Sequence, residues 1–557
     1  MSRAPRDRRT IDFERREQPP AGRTLRRPPV RAALATLAVL SVLSLWALTP
    51  SVAEASTVVR SVAAEGRLPT ATDNDFLRLD GALQAAVSGD VILLEGMFDW
   101  SEPYALASWA LGSDGAAGTA DDYRLSIPSG LDAVTLAPST PGAAAIAGPG
   151  DVPEHDGESC LFFAGPNHDW TLTDLVLLDF DVAIDFSHSA SATFDGTTVA
   201  RNFVRVATDL NTDQAPSDPW PNYGLRLAAG RDQTITGNVF EMPGTGGGTG
   251  PAAAKSVGML LQSSTGDTAG YDGLLVEGNT FQVSGLPLGR AAGGELVGGF
   301  EDLSGAHASN IVVRDNRFLN LDPANVSLDN RETAFRVHAH SGPGSAVLYQ
   351  DNRVEGAEVG VLWTLGGDLS PYDPIRFVGN TFVDGDRAFV VGSGGSAVLR
   401  CNRIIDHTRA IDILRNNGSV SAERNWWGCN GGPDAPGCVP LTLSGTGPIP
   451  VAPWLVLSVQ ETVVEAGATA PLAAGFTTDS DGTPVTECSV PDGIPVSFAV
   501  AEGTVSRAEA GTVDGLATVL YTAEKSGRKG SVDVTVQADG EVVSGSLQVV
   551  PRGQGSP

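Results

Sequence analysis

Residues Ile375 to Gly428 contain IRFVGNTFVDGDRAFVVG (375–392), AVLRCNRIIDHTRAIDILRN (397–416) and SVSAERNWWG (419–428). In each run an asparagine ends a short β-type stretch: Asn380, Asn402 and Asn425, spaced 22 and 23 residues apart. Ala388 and Ala410 each follow their asparagine by eight residues and open AFVV and AIDI. Two landmarks that repeat together at a period near 22 indicate a solenoid, whose coils bury their apolar faces against one another.

The register extends outward from this stretch. Asn352 leads by eight to Gly360, and Leu175 leads by eight to Ala183, which leads by fourteen to Thr197. Gly224 precedes Asn238 by fourteen. Asn238, Asn279, Asn316 and Asn352 lie 41, 37 and 36 apart, which is one unit plus an insertion of 14 to 19 residues. Inserted text such as TDLNTDQAPSDPWPN and PGTGGGTGPAAAKS is rich in Gly, Pro, Asp and Ser, the residues of turns.

Side-chain alternation then assigns faces. Leu225/Leu227, Met259/Leu261, Phe335/Val337, Val361/Trp363, Phe389/Val391 and Ile411/Ile413 point inward, because successive side chains of a strand alternate between its faces. Between them Arg226, Leu260, Arg336, Leu362, Val390 and Asp412 form a mixed column, expected on a hydrated outer face. Asparagine tolerates left-handed backbone, and its amide can bond to an identical amide one coil away. Asn238, Asn279, Asn316, Asn352, Asn380, Asn402 and Asn425 are therefore expected to stack as a ladder.

These residues carry a resemblance. The chain resembles the right-handed parallel β-helix repeat family, with the pectin-lyase-like fold, over about residues 66 to 455. ALQAAVSGDVILLEGMFDW (82–100) is similar to that family's opening, an amphipathic capping helix followed by a buried strand. NWWGCNGGPDAPGC (425–438) is similar to its closing segment, with PWL at 453–455. The resemblance implies an all-β, single-stranded solenoid and leaves activity open, since the fold hosts lyases, hydrolases, epimerases, adhesins and inert scaffolds.

The N-terminus reads as an address. Residues 1–31 hold ten Arg and four acids, and an uncharged apolar run, Ala32 to Leu48, leads to the small-residue site Ala53-Glu54-Ala55. This is a signal-peptide pattern over 1–55, with an uncleaved membrane anchor as the alternative. Its removal takes away ten positive and five negative charges and shifts the net charge from −29 to −34. Such acidity disfavours nucleic acid and anionic membranes as partners.

Five cysteines suit an oxidising compartment. Cys429 and Cys438 flank a nine-residue step around Gly-Gly-Pro and are expected to form a disulfide, without a histidine nearby to make a zinc site. Cys160, Cys401 and Cys488 remain. One of them is an odd thiol, and Cys401, beside Asn402, is expected to pack within a coil. Calcium is the candidate cofactor, though none is required: Asp114, Asp121 and Asp122 sit in a Gly-rich insertion without EF-hand spacing.

Beyond Pro453 the 22-residue frame gives way to alternating strands, such as PVSFAV and GLATVLYT, broken by DSDGT, PDG and KSGRKG. The pattern is that of a small β-sandwich of about 100 residues. It resembles the bacterial Ig-like modules of surface proteins, which space or present a neighbour. The expected organisation is a leader at 1–55, a β-helix at 56–452, an Ig-like sandwich at 453–550 and a tail at 551–557.

Candidate chemistry is sparse. Asn211-Thr212-Asp213 matches a short polygalacturonase string, but the partner motifs of that group are missing, as is the pectate-lyase Trp-Ile-Asp-His string. FRVHAH supplies the remaining candidates: Arg336, His338 and His340 alternate onto one face, just after Asp329, Arg331 and Glu332. Adjacent imidazole and carboxylate groups can perform acid/base work near neutral pH. Trp426 and Trp427 are expected to pack the last coil. The residues favour an exported, cell-surface or extracellular scaffold or adhesin-like protein, monomeric, that presents its loops to a polysaccharide or surface macromolecule. The alternative is a polysaccharide lyase or glycoside hydrolase with its site near His338.

Overall fold

The computed structural model describes residues 58–64, 75–100, 124–148, 159–163, 165–186, 193–207, 222–243, 256–262, 270–284, 298–303, 308–321, 333–338, 346–364, 374–391, 396–413, 420–441, 449–525 and 530–553. The leader expected at 1–55 and the calcium candidates Asp114, Asp121 and Asp122 lie outside them.

The chain is an all-β parallel β-helix. Strands of successive coils pair in parallel and in register along three faces. The first face runs from Thr135–Pro138 through Thr198–Ala200 and Ile311–Arg314 to Ala397–Arg400 and Val420–Ser421. The second runs from Ala144–Ala147 through Phe203–Val206 and Arg317–Asn320 into Thr381–Val391. The third runs from Leu125–Ile127 through Asn222–Leu227 and Thr333–His338 to Arg403–Ile413. The inward residues expected on the third face are all buried, from Leu225 and Leu227 to Ile411 and Ile413. Aromatic rings stack between coils inside the tube, as in Phe240 on Phe281 (5.2 Å) and Tyr349 on Phe377 (5.0 Å).

Helix Asp75–Gln84 closes the N-terminal end of this core. It buries Phe76, Leu79 and Leu83, and the Phe76 ring meets Trp100 edge-on at 5.2 Å. The apolar face of so short a helix forms because it covers what would otherwise be an open end of the solenoid core.

The mixed outer column is in register as expected: Arg226, Leu260, Arg336, Leu362, Val390 and Asp412 occupy matching positions, with Glu301 between Leu260 and Arg336. It is hydrated only in part: Arg226, Arg336 and Leu362 are half-buried. Leu260, Val390 and Asp412 are 1%, 2% and 3% exposed. Leu260 belongs to a small apolar cluster with Val182, Tyr223 and Val257, separate from the main core. Asp412 lies against Arg409 (3.2 Å) and Arg387 (3.8 Å). Burying a carboxylate requires such partners; Arg409 comes from the same strand and Arg387 from the neighbouring coil.

The parallel stacking ends at the pairing of Trp426 with Arg403, and from Leu455 two mainly antiparallel sheets follow. One contains Leu455–Val459, Thr469–Asp479, Leu516–Thr522 and Thr504–Val505. The other contains Val463–Glu465, Glu541–Val550, Gly530–Ala538, Pro495–Val500 and Glu509–Gly511. Leu472, Phe476, Val496, Val534 and Leu547 fill the space between them. The same apolar cluster takes in Val383, Cys401, Ile405 and Trp426 of the solenoid, so the sandwich core extends onto the last coils while the core inside the coils stays separate. Trp427 packs inside the last coil, whereas Trp426 turns the other way and lies 4.7 Å from Phe476 of the sandwich.

Candidate functional site: a seam and its acidic cleft

The site begins with the asparagine corner. The backbone N–H and side-chain Nδ2 of each ladder residue both donate to Oδ1 of the asparagine in the next coil, at 2.9–3.0 Å. The series runs from Asn202 through Asn238, Asn279, Asn316, Asn352, Asn380 and Asn402 to Asn425. Asn202 extends the expected series by one coil. Leu175 heads the column, its N–H donating to Asn202 Oδ1 at 2.9 Å. The signal for Asn202 was present in the sequence: it precedes Asn238 by 36 residues, the Asn316–Asn352 spacing.

The residue just before each ladder asparagine adopts left-handed backbone: Arg201, Gly237, Gly278, Asp315, Asp351, Gly379, Cys401 and Arg424 have φ between 52° and 66°. This conformation turns the chain from the first face to the second and aims the side chain outward from the corner. A second column therefore runs beside the ladder, and its chemistry varies freely from coil to coil.

The sandwich docks on that column. Cys401 is bonded to Cys488, with Cα atoms 6.1 Å apart, so it is not the packed thiol expected from sequence. Cys160 is the free cysteine, and burial pushes its thiol pKa well up. The Arg424 guanidinium pairs with Asp479 (3.3 Å) and with Glu487, and Arg400 reaches Glu487 at 3.6 Å. Nearby, Arg403 pairs with Asp539, which also accepts from Trp426 Nε1 at 2.7 Å. Cys429–Cys438 closes the loop next to these contacts, with Cα atoms 5.2 Å apart. Asn430 in this loop exchanges hydrogen bonds with the Leu457 backbone (2.6 and 2.9 Å).

Further along the corner the seam opens into a cleft of about 520 Å³. Asp315, Asp351 and Gly379 line it from the solenoid, and residues 487–492 with Asp514 line it from the sandwich. A Cβ on Gly379 would lie 2.4 Å from Asp351 Oδ1, so the Asp351 side chain would have to move to admit it, and 3.7 Å from the Ser489 carbonyl oxygen. Partial burial raises the Asp351 carboxyl above its ordinary value against a hydrogen bond with Gln350 and the charge of Arg314, with the negative charges of Asp315 and Asp492 reinforcing the rise. Burial likewise raises Asp315, with Arg314 opposing and Glu277 reinforcing the shift. Among the described residues, no group of three or more His, Cys, Asp or Glu is placed to hold a metal ion.

The Arg336, His338 and His340 set lies only partly within the described residues. Arg336 is half-buried on the third face, aligned with Glu301 and Leu362. His338 ends the same strand, aligned with Thr364, and His340 lies outside the described residues. The cleft escaped sequence reading because its walls are separated by well over a hundred residues of chain.

No family model matches the chain, and no curated protein does. Among solved structures, a tailspike protein mutant of E. coli bacteriophage HK620 in complex with a pentasaccharide is similar at 10% identity, covering 82% of this chain and 80% of that one (TM-score 0.34). DFA-IIIase from Arthrobacter chlorophenolicus A6 is similar at 11% identity, covering 66% and 72% (TM-score 0.30). Domains 4 and 5 of the S-layer protein SbsC are similar at 20% identity, covering 20% of this chain and 58% of that one (TM-score 0.13). Likenesses at this level assign no activity.

Proposed function

We propose that the protein is an exported, extracellular scaffold of adhesin-like type, which presents a rigid β-helix to glycans and carries a bacterial Ig-like module fixed to its C-terminal coils. The observation that carries this reading is the clamped seam, where a disulfide, buried ion pairs and a shared apolar core join module and solenoid. A presenting protein benefits from such rigidity, because pre-ordered surfaces lose less entropy on binding. Two disulfides suit an oxidising compartment, and no helix of the described residues is long and apolar enough to cross a membrane.

The distribution of charge supports binding over catalysis. Outward carboxylates pair with arginines of neighbouring coils: Asp174 with Arg201, Asp179 with Arg205, Asp185 with Arg226 and Glu358 with Arg387. These groups hold adjacent coils together instead of converging on open space. The test is a panel of neutral and acidic polysaccharides exposed to the full chain, read for binding and for released reducing ends or unsaturated products. Retention without product supports the scaffold.

One observation favours a second reading, a glycoside hydrolase working in the cleft. Asp315 and Asp351 occupy the same corner position on adjacent coils, about 5 Å apart along the stack, and both carboxyls are raised. Neighbouring carboxyls that both hold their protons more readily than free ones are the groups that acid-assisted glycoside cleavage uses. Product from wild type that disappears in Asp351→Asn would establish this reading and overturn the scaffold.

A further inference from the structure

The two ends of the solenoid differ in how their strand edges are finished. At the C-terminal end prolines cap the last coil: the Ala410 N–H donates to the Pro440 carbonyl and the Ala422 N–H to the Pro450 carbonyl, both at 2.8 Å. Proline accepts a hydrogen bond but has no N–H to offer a further strand. At the N-terminal end the outermost strand is Val59–Ala63, paired in parallel with Val91–Asp99. Its ladder opens with the Val91 N–H on the Val58 carbonyl (3.0 Å) and closes with the Ala64 N–H on the Glu95 carbonyl (2.7 Å). The even-numbered residues therefore face the neighbouring strand. The backbone N–H and C=O groups of Val59, Ser61 and Ala63 face the open side, with no partner among the described residues.

Apolar exposure gathers at the same end. Among the described residues of the solenoid, the large exposed apolar side chains are Val58, Val59, Val87 and Met97 of this first coil, 41% to 60% exposed, and Leu321. Helix Asp75–Gln84 turns Phe76, Leu79 and Leu83 onto the core and leaves the edge beside it uncovered, with Val59 at 60%. The strand carries no acid, and its one charge, Arg60, is held by Asp90 at 2.8 Å. Elsewhere a net charge of −29 keeps copies of the chain apart. A row of unpaired donors and acceptors at strand spacing is complemented by another strand. We propose that Val59–Ala63 is a dimer edge, which pairs antiparallel with the same strand of a second copy about a two-fold axis at Ser61. In that register Ser61 meets its own counterpart, Val59 meets the partner's Ala63, and each pair exchanges both of its N–H···O=C bonds. Such a contact is self-complementary, and the proline-capped far end stops association at two.

Light-scattering mass of the full chain, with cysteine cross-linking, tests the edge. Wild type should have twice the mass of one chain. Ser61→Pro removes an N–H that faces the open side and no bond to Val91–Asp99, so it should be monomeric with an unchanged melt by circular dichroism. Val59→Lys, at a site already exposed, should also be monomeric, and it carries the test if the proline variant does not fold. On mild oxidation Ser61→Cys should give a disulfide-linked dimer, whereas Ala63→Cys, which meets a valine, should not; the native free thiol, Cys160, is buried. A monomeric wild type, or a Ser61→Cys variant that does not link while Ala63→Cys does, overturns the proposal. So does a dimer that survives Val59→Lys and a folded Ser61→Pro, which would place the contact elsewhere, as in the apolar run Ala32 to Leu48.

Discussion

Each ladder asparagine saturates its side chain within the core. Asn352 accepts from the Asn316 N–H and Nδ2, and its own Nδ2 donates to the Val313 carbonyl and to Asn380 Oδ1. Asn352→Ala leaves these buried partners unmatched, and each such group costs about 1–3 kcal/mol. A loss of about 3 kcal/mol or more in denaturant unfolding is expected, with the fold retained by circular dichroism. His407 gives the residue scale its pH dependence. Burial lowers its pKa from 6.5 to about 4, despite the hydrogen bond to the Ile405 carbonyl (2.6 Å) and the nearby Asp406 and Asp386. The folded ring stays neutral while the unfolded ring takes up a proton, so its contribution is present above pH 6.5 and is lost as pH falls toward 4. The loss amounts to about 3 kcal/mol. Stability measured at several pH values should fall less steeply in His407→Leu than in wild type over that window.

At the scale of elements, the seam decides how the parts of the molecule melt. Cys401 and Cys488 close a loop of 87 residues, whereas Cys429 and Cys438 close one of nine. Restricting the unfolded chain over the longer loop contributes about 4–5 kcal/mol by the chain-entropy argument, and the shorter loop about 2 kcal/mol less. The pair Cys401→Ala and Cys488→Ala should therefore destabilise the sandwich more than Cys429→Ala with Cys438→Ala. Calorimetry of the first pair should resolve a separate, earlier transition for the sandwich. A single undivided transition at the wild-type temperature would show that the ion pairs and shared core suffice.

At the scale of the whole molecule, the repeat was legible because one physical demand recurs in every coil. A buried amide needs an identical amide above and below it, so Asn238 to Asn425 had to fall in register. The inward alternation was equally legible, since an apolar column is the same statement made by Leu225, Met259, Phe335 and Phe389. The outer column was misread because exposure of an outward position depends on what packs over it. Leu260 and Asp412 are buried by partners that strand alternation does not reveal. The Cys401–Cys488 bond and the acidic cleft were invisible for a related reason: both join a corner of the solenoid to a loop of another module, and no local spacing encodes such a meeting. That same bond has a mechanical consequence. If the two ends of the chain were pulled apart, tension would cross from Cys401 directly to Cys488, and the stretch between them would carry no load. Roughly 300 Å of contour would thus be withheld from extension, leaving the last coil and the first strands of the sandwich slack under strain.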